Sequence, residues 1–184
     1  TYDRAGSSIA TTPASAYEWE TIFGEATWFH TTGITPSLSE DAARAAIAAA
    51  KAANAAGVTV SCDLNFRKKL WLWEPGTPAR ELAEKTMRQL LPFVDVVIAN
   101  EEDAADILSI HASATDVEAG ELNFEAYVEV AQEIVKQFPN VSKVAITLRE
   151  SVTANHNNWG AMLYDAGTVA YTHLTLPTKS SGGG

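Results

Sequence analysis

Two arginines, two asparagines and several carboxylates stand where short apolar, β-branched stretches end. The positions are Gly33-Ile34-Thr35, Asp63-Leu64-Asn65-Phe66-Arg67, Asn100-Glu101-Glu102-Asp103 and Thr147-Leu148-Arg149. A guanidinium makes paired, charge-assisted hydrogen bonds to carboxylates and phosphates, so Arg67 and Arg149 suit a small anionic metabolite better than a polymer. Each residue also has a plainer use. Asn100-x-x-Asp103 has the spacing of a helix N-cap, with acids that complement the helix dipole. Asp63 could simply end a strand, Lys68 and Lys69 are expected in solvent, and Trp71 and Trp73 are expected to pack a loop. His30 lies in an apolar stretch and reads as a satisfied core histidine. His111, His156 and His173 have no partners at metal-ligand spacing. Neither G-x-G-x-x-G nor G-x-x-x-x-G-K-[ST] occurs, which disfavours a dinucleotide oxidoreductase and a P-loop enzyme.

The elements that would position these groups alternate in type. Residues 27–33 read as a strand ending in Gly33. Residues 37–56 read as an alanine-rich helix, with Ser37 and Glu40 at capping-box spacing and Gly57 as its stop. Residues 58–63 form a buried strand. Thr77 and Pro78 open a helix to about residue 91, with Thr77 as cap and Pro78 at the first helical position. A strand over 95–99 leads into a helix at Asn100. Residues 124–138 are amphipathic, 143–147 form a fourth strand, and 160–165 and 168–171 form a hairpin about Asp165-Ala166-Gly167. Such alternation predicts an α/β fold of three α/β/α layers: a doubly wound, mostly parallel sheet with right-handed crossovers and helices on both faces. Ligands of open parallel sheets bind beyond the carboxyl ends of the strands, where the groups named above collect. Residues 1–16 read as a short strand and a loop lying against this domain.

Composition narrows the partners. The 184 residues are 46% hydrophobic, too apolar for a disordered chain, and no window of 18 is uninterruptedly apolar. Thirteen Lys and Arg against 23 Asp and Glu give a formal charge of −10, which disfavours nucleic acid and anionic membranes. The single Cys62 excludes an internal disulfide and a cysteine-rich zinc site, and a reducing cytoplasm is the expected location. Residues 172–184 (THLTLPTKSSGGG) carry no acid and end in a linker composition. The string YTHLTLPTK resembles a translated sequencing adapter. Residues 1–171 are therefore taken as a partial domain and 172–184 as a non-native or disordered tail.

Taken in order, Tyr2-Asp3-Arg4-Ala5-Gly6-Ser7, Thr32-Gly33-Ile34-Thr35-Pro36-Ser37-Leu38, Cys62-Asp63-Leu64-Asn65-Phe66-Arg67-Lys68-Lys69-Leu70-Trp71 and Asn100-Glu101-Glu102-Asp103 resemble the ribokinase-like (PfkB) carbohydrate kinases. Within them the 2-dehydro-3-deoxygluconate kinase branch is most similar, and the D-x-N-x-R-x-x-L-W stretch is the most specific part. The resemblance implies phosphoryl transfer from ATP, with Mg²⁺, to the terminal hydroxyl of that sugar acid, giving its 6-phosphate. It implies that Tyr2 and Arg4 hold the sugar acid, with Arg4 near its carboxylate, and that Ile34 lines the site through its backbone. Asn65 and Arg67 would lie between sugar and phosphates, Arg67 stabilising charge on the transferring group. Asn100 and Asp103 would organise Mg²⁺ and phosphate through water, and Thr147 and Arg149 would lie at the nucleotide edge. It further implies a homodimer through a β lid, of which residues 1–8 would be a remnant.

The sequence also departs from that family. Asp103 replaces the more usual Glu, Arg149 stands where relatives carry Gly, and residues 151–159 look like an insertion. The family's G-x-G-D element, with its general-base Asp, occurs nowhere in the chain, so the chain as written is expected not to turn over. Two other expectations remain open: a ribokinase-like kinase for fructose, ribose or a nucleoside, and a non-catalytic α/β module that binds a small anion.

Overall fold

The computed structural model describes residues 4, 6–111, 124–153, 156–165 and 167–174. Six strands form one sheet in sequence order: β1 (Trp28–Thr32), β2 (Thr59–Asp63), β3 (Val96–Asn100), β4 (Lys143–Thr153), β5 (His156–Asp165) and β6 (Thr168–Leu174). The first four run parallel, and β5 and β6 complete the sheet antiparallel. The main helices are α4 (Glu40–Ala55), α5 (Ala79–Leu90), α6 (Glu101–Leu108) and α7 (Phe124–Gln137). Three short ones precede α4: α1 (Ser8–Thr11), α2 (Trp19–Phe23) and α3 (Ile34–Ser37). This is the mostly parallel α/β sheet that the alternation of elements predicts.

Alternation along the strands explains the core. Val60 and Cys62, Val97 and Ala99, Val144 and Ile146, and Met162 and Tyr164 point to one side and are buried there. They meet the buried faces of all four main helices in one apolar cluster. Helix α4 contributes Ala46, Ala49, Ala50 and Ala53, whose small side chains let the helix lie close to the strands.

Within this three-layer α/β/α architecture the four main helices of the described residues gather in one apolar cluster against the sheet. Strands β1 to β4, joined in sequence order by crossovers of one hand, put these helices on the same side. The opposite face of the sheet carries Trp28, His30, Ser61, Ile98 and Ala145, and Trp28 is 57% exposed. His30 is accordingly exposed, not a core residue. Its Nδ1 lies 2.8 Å from Ser61 Oγ, which also accepts from Trp28 Nε1 at 2.9 Å.

Local chemistry adjusts several other expectations. The cap of α4 is Ser39, whose Oγ accepts from Ala42 N, while Ser37 closes the short α3 by donating to Ile34 O. Gly57, at φ +73°, ends the α4 turn as expected. Pro78 itself is the N-cap of α5, with no side-chain cap, and the Thr77 hydroxyl donates to Glu74 at 2.8 Å. Residues 1–16 show no strand among the described residues. The N–H groups of Ala10, Thr11 and Thr12 find carbonyls locally at Ser7 and Ser8, giving a one-turn helix instead. The 151–159 stretch lengthens the β4–β5 ladder, with a register shift between Ser151 and Thr153. Strand β6 pairs through Leu174, three residues past the boundary expected at 171. The remainder of that tail lies outside the described residues.

Arg88 joins three helices. Its Nε donates to Glu84 and its Nη1 to Gln137 Oε1, both at 2.9 Å; its Nη2 donates to Leu108 O at 2.8 Å. The guanidinium also lies 5.9 Å over the Phe138 ring. Arg88→Ala should lower unfolding stability by on the order of 1–3 kcal/mol. Arg88→Lys should restore only part of this, because an ammonium cannot span three diverging acceptors. Chemical denaturation of the three proteins checks both outcomes.

Candidate functional site

The register of the parallel strands sets out the site. Thr32 pairs with Asp63, Asp63 with Ile98, and Asn100 with Thr147, so the carboxyl ends of β1 to β4 reach one rim together. At the first of these ends Gly33 N donates to Asp63 O at 2.8 Å. A Cβ on Gly33 would stand 2.0 Å from Leu64 O, so the turn after β1 can lie on the loop after β2 only with glycine there. Thr32 Oγ1 accepts from Ile34 N at 3.4 Å and from Asn65 Nδ2 at 3.5 Å. Asn65 holds φ at +38°, in the left-handed region that asparagine tolerates better than most residues. Further along, Trp71 is fully buried and Trp73 Nε1 donates to Pro36 O at 3.1 Å, so both tryptophans pack the loop as expected.

The third strand end is a complete capping box. Asn100 Oδ1 accepts from Glu102 N at 2.9 Å and from Asp103 N at 2.8 Å. Asp103 Oδ2 returns the bond by accepting from Asn100 N at 3.2 Å, and its Oδ1 accepts from Phe66 N at 2.9 Å. The Asp103 side chain is buried.

The charges of the rim act on Asp63. Burial and the nearby Asp103 push its carboxyl above the usual range, against the opposing pull of His30, the Asn65 N–H and Arg67. Arg67 is exposed, as are Lys68 and Lys69, and its Nη1 donates to Phe66 O at 3.1 Å. Burial, with Asp63 alongside, pushes the Cys62 thiol far up, which makes it an inert core group.

Of the residues singled out in the sequence, the structure gathers Ile34, Asn65, Arg67, Asn100 and Asp103 at this rim. Thr147 stands at the same level on β4, exposed, with its Oγ1 3.4 Å from Ala99 O. Arg4 is exposed, and its carbonyl accepts from Ser7 N and Ser7 Oγ. It belongs to a segment tied to the α4 cap through Ser39 Oγ and Ala10 O. Tyr2 and the Arg149 side chain lie outside the described residues. Thr32 and the Phe66 amide escaped the sequence. Thr32 looks like any strand threonine, and no side-chain pattern marks a backbone N–H.

Comparison with known proteins agrees with this geometry. The family model described as pfkB family carbohydrate kinase matches residues 2–148. The chain belongs to that family. A curated relative, the 2-dehydro-3-deoxygalactonokinase of Haloferax volcanii, is 35% identical over 130 residues, which are 69% of this chain and 38% of the relative. The crystal structure of 2-dehydro-3-deoxygluconokinase from Thermotoga maritima is 41% identical with a TM-score of 0.79, over 95% of this chain and 49% of that one. A PfkB family carbohydrate kinase from Listeria grayi is 26% identical with a TM-score of 0.66, over 84% and 42% of the two chains. The chain thus spans less than half the length of each.

PfkB kinases transfer phosphate, so the rim can be tested for a cation. Among the described residues no three His, Cys, Asp or Glu side chains gather as a metal site. Both Asp103 oxygens already accept from amides, which leaves each a free lone pair for water but no open face for direct ligation. That donor set fits Mg²⁺ held chiefly by phosphates and water, the arrangement magnesium usually takes.

Two outcomes follow from the rim. Gly33→Ala should destabilise the fold by on the order of 3 kcal/mol, because the new methyl meets backbone rather than a movable side chain. Thermal melts of the variant check this. Asp63, with its pKa raised by folding, favours the native state while protonated and loses that contribution as pH rises through its own pKa. Asp63→Asn should therefore melt higher than the parent at neutral pH, with the gap closing as pH falls to around 4. Paired melts at the two pH values give the sign.

Proposed function

We propose that this chain forms the substrate-side half of an ATP-dependent sugar-acid kinase acting on the terminal hydroxyl of 2-dehydro-3-deoxygluconate. The observation that carries the proposal is the meeting of Ile34, Asn65, Arg67 and Asn100 at the ends of three adjacent parallel strands. It is supported by 41% identity to the Thermotoga maritima 2-dehydro-3-deoxygluconokinase.

In this mechanism the Ile34 backbone and the Asn65 amide orient the sugar, while Arg4 and Tyr2 hold its acid end. Arg67, in solvent at the lip of the rim, meets negative charge on the group in flight. Asn100, Asp103 and Thr147, with Arg149 after them in the chain, are the residues this reading gives to the phosphates. ATP with Mg²⁺ supplies the phosphoryl group when bound. Positioning and electrostatic stabilisation supply most of the rate in such transfers. The chain contains no G-x-G-D to take the hydroxyl proton, so it binds substrate without turning it over. The name of the Haloferax volcanii relative favours a second candidate substrate, 2-dehydro-3-deoxygalactonate.

Calorimetry on the purified chain tests this. Either sugar acid should bind about 10–100-fold more tightly than fructose, the worth of a charged hydrogen bond to a carboxylate. Arg4→Ala should abolish the preference. Equal affinity for fructose would instead indicate a kinase for neutral sugars. ATP-dependent ADP release by the 184-residue chain would refute its inactivity.

A further inference from the structure

Asp103 makes one hydrogen bond more than a capping box needs. A carboxylate at the third helical position caps by accepting from the N-cap amide, and Asp103 Oδ2 does this at Asn100. Its Oδ1 reaches across to the loop after β2 and accepts from Phe66 N at 2.9 Å, with 37 residues between the two in sequence. The carboxylate that makes both bonds belongs to a residue only 4% exposed. Among the described residues this is the one backbone hydrogen bond from residues 65–70 to an element other than β2, since the Asn65 N–H serves the Asp63 carboxylate and the Leu70 amide turns back to Arg67 O. On one side of Phe66 is Asn65, held at positive φ, and on the other is Arg67, exposed.

We propose that Asp103 is a positioning residue: its carboxylate fastens the Asn65-Phe66-Arg67 loop to the first turn of α6, so that the sugar-side groups and Asn100 hold a fixed geometry. The proposal rests on the assignment of Asn65 and Arg67 to the substrate side. The loop's other side-chain hydrogen bond to a separate strand is the longer Thr32 contact to Asn65, at 3.5 Å. A charged acceptor on a buried amide is the stronger of the two.

Trypsin offers a direct test, because Arg67, Lys68 and Lys69 are exposed immediately after Phe66. Asp103→Asn keeps the shape but sets an NH₂ group against one of the two amides. Cleavage at residues 67–69 should then rise at least about tenfold, the factor for losing one such hydrogen bond. Cleavage after Arg44 and Lys51, exposed on α4, should stay unchanged. No rise at 67–69, or an equal rise at all sites, overturns the proposal. Should the variant not fold, the parent chain still decides the matter. A scalar coupling across the hydrogen bond, from the Phe66 amide nitrogen to the Asp103 carboxyl carbon, is expected by NMR, and its absence is disproof. Sugar-acid affinity separates positioning from mere stability: it should fall about tenfold in Asp103→Asn at a temperature where circular dichroism shows the variant folded. Unchanged affinity there overturns the role. If the parent chain binds neither sugar acid, the substrate assignment fails, and the trypsin pattern still judges the clamp.

Discussion

Thr32, Asp63, Asn100 and Thr147 come to one level because four parallel strands are hydrogen-bonded in sequence order with a fixed register. That register is held from one side. Val60, Cys62, Val97, Ala99, Val144 and Ile146 enter a single apolar cluster with the helices, and a slip of one residue would turn each of them to the opposite face. The polar contacts that cross between strand ends at the rim depend on this alignment. Gly33 can reach the Asp63 carbonyl, and Asp103 the Phe66 amide, only while β1, β2 and β3 end where they do.

The same order determines what the other face of the sheet looks like. Trp28, His30 and Ser61 lie on the face away from the apolar cluster, and they satisfy one another through the Ser61 hydroxyl. His30 is therefore an exposed partner of Asp63 as well as of Ser61, and its field works against the burial that raises the Asp63 carboxyl. Arg67, Lys68 and Lys69 stand in solvent at the lip of the site, where Asp103 is buried and Glu102 is exposed, so cations and acids meet along this edge.

Much of this was legible in residue types. The alanines of α4, the β-branched runs of β2 to β4 and the asparagine that opens α6 announce their elements through spacing alone. Errors fell where a side chain had two uses. Ser37 and Ser39 both precede a helix, and only the turn of α3 shows that Ser39 caps α4 while Ser37 is spent on Ile34. Thr77 was lost to Glu74 in the same way. The length of the β4–β5 ladder was hidden because residues 151–159 lack strand alternation, although their pairing is local, with Ser151 opposite Asn157.

By itself the sequence determined the fold class, the family and the set of residues at the strand ends, because these depend on local periodicity and on short motifs within one loop. Tertiary structure alone decided what those residues touch. Asp103 reads as a cap from its spacing to Asn100, and nothing local reveals that its second oxygen serves Phe66, 37 residues earlier. Gly33 reads as the end of a strand, while its necessity lies in the Leu64 carbonyl that a Cβ would strike. A hydrogen bond or a steric limit between distant segments carries no sequence signature, since the partner is a backbone group that every residue possesses.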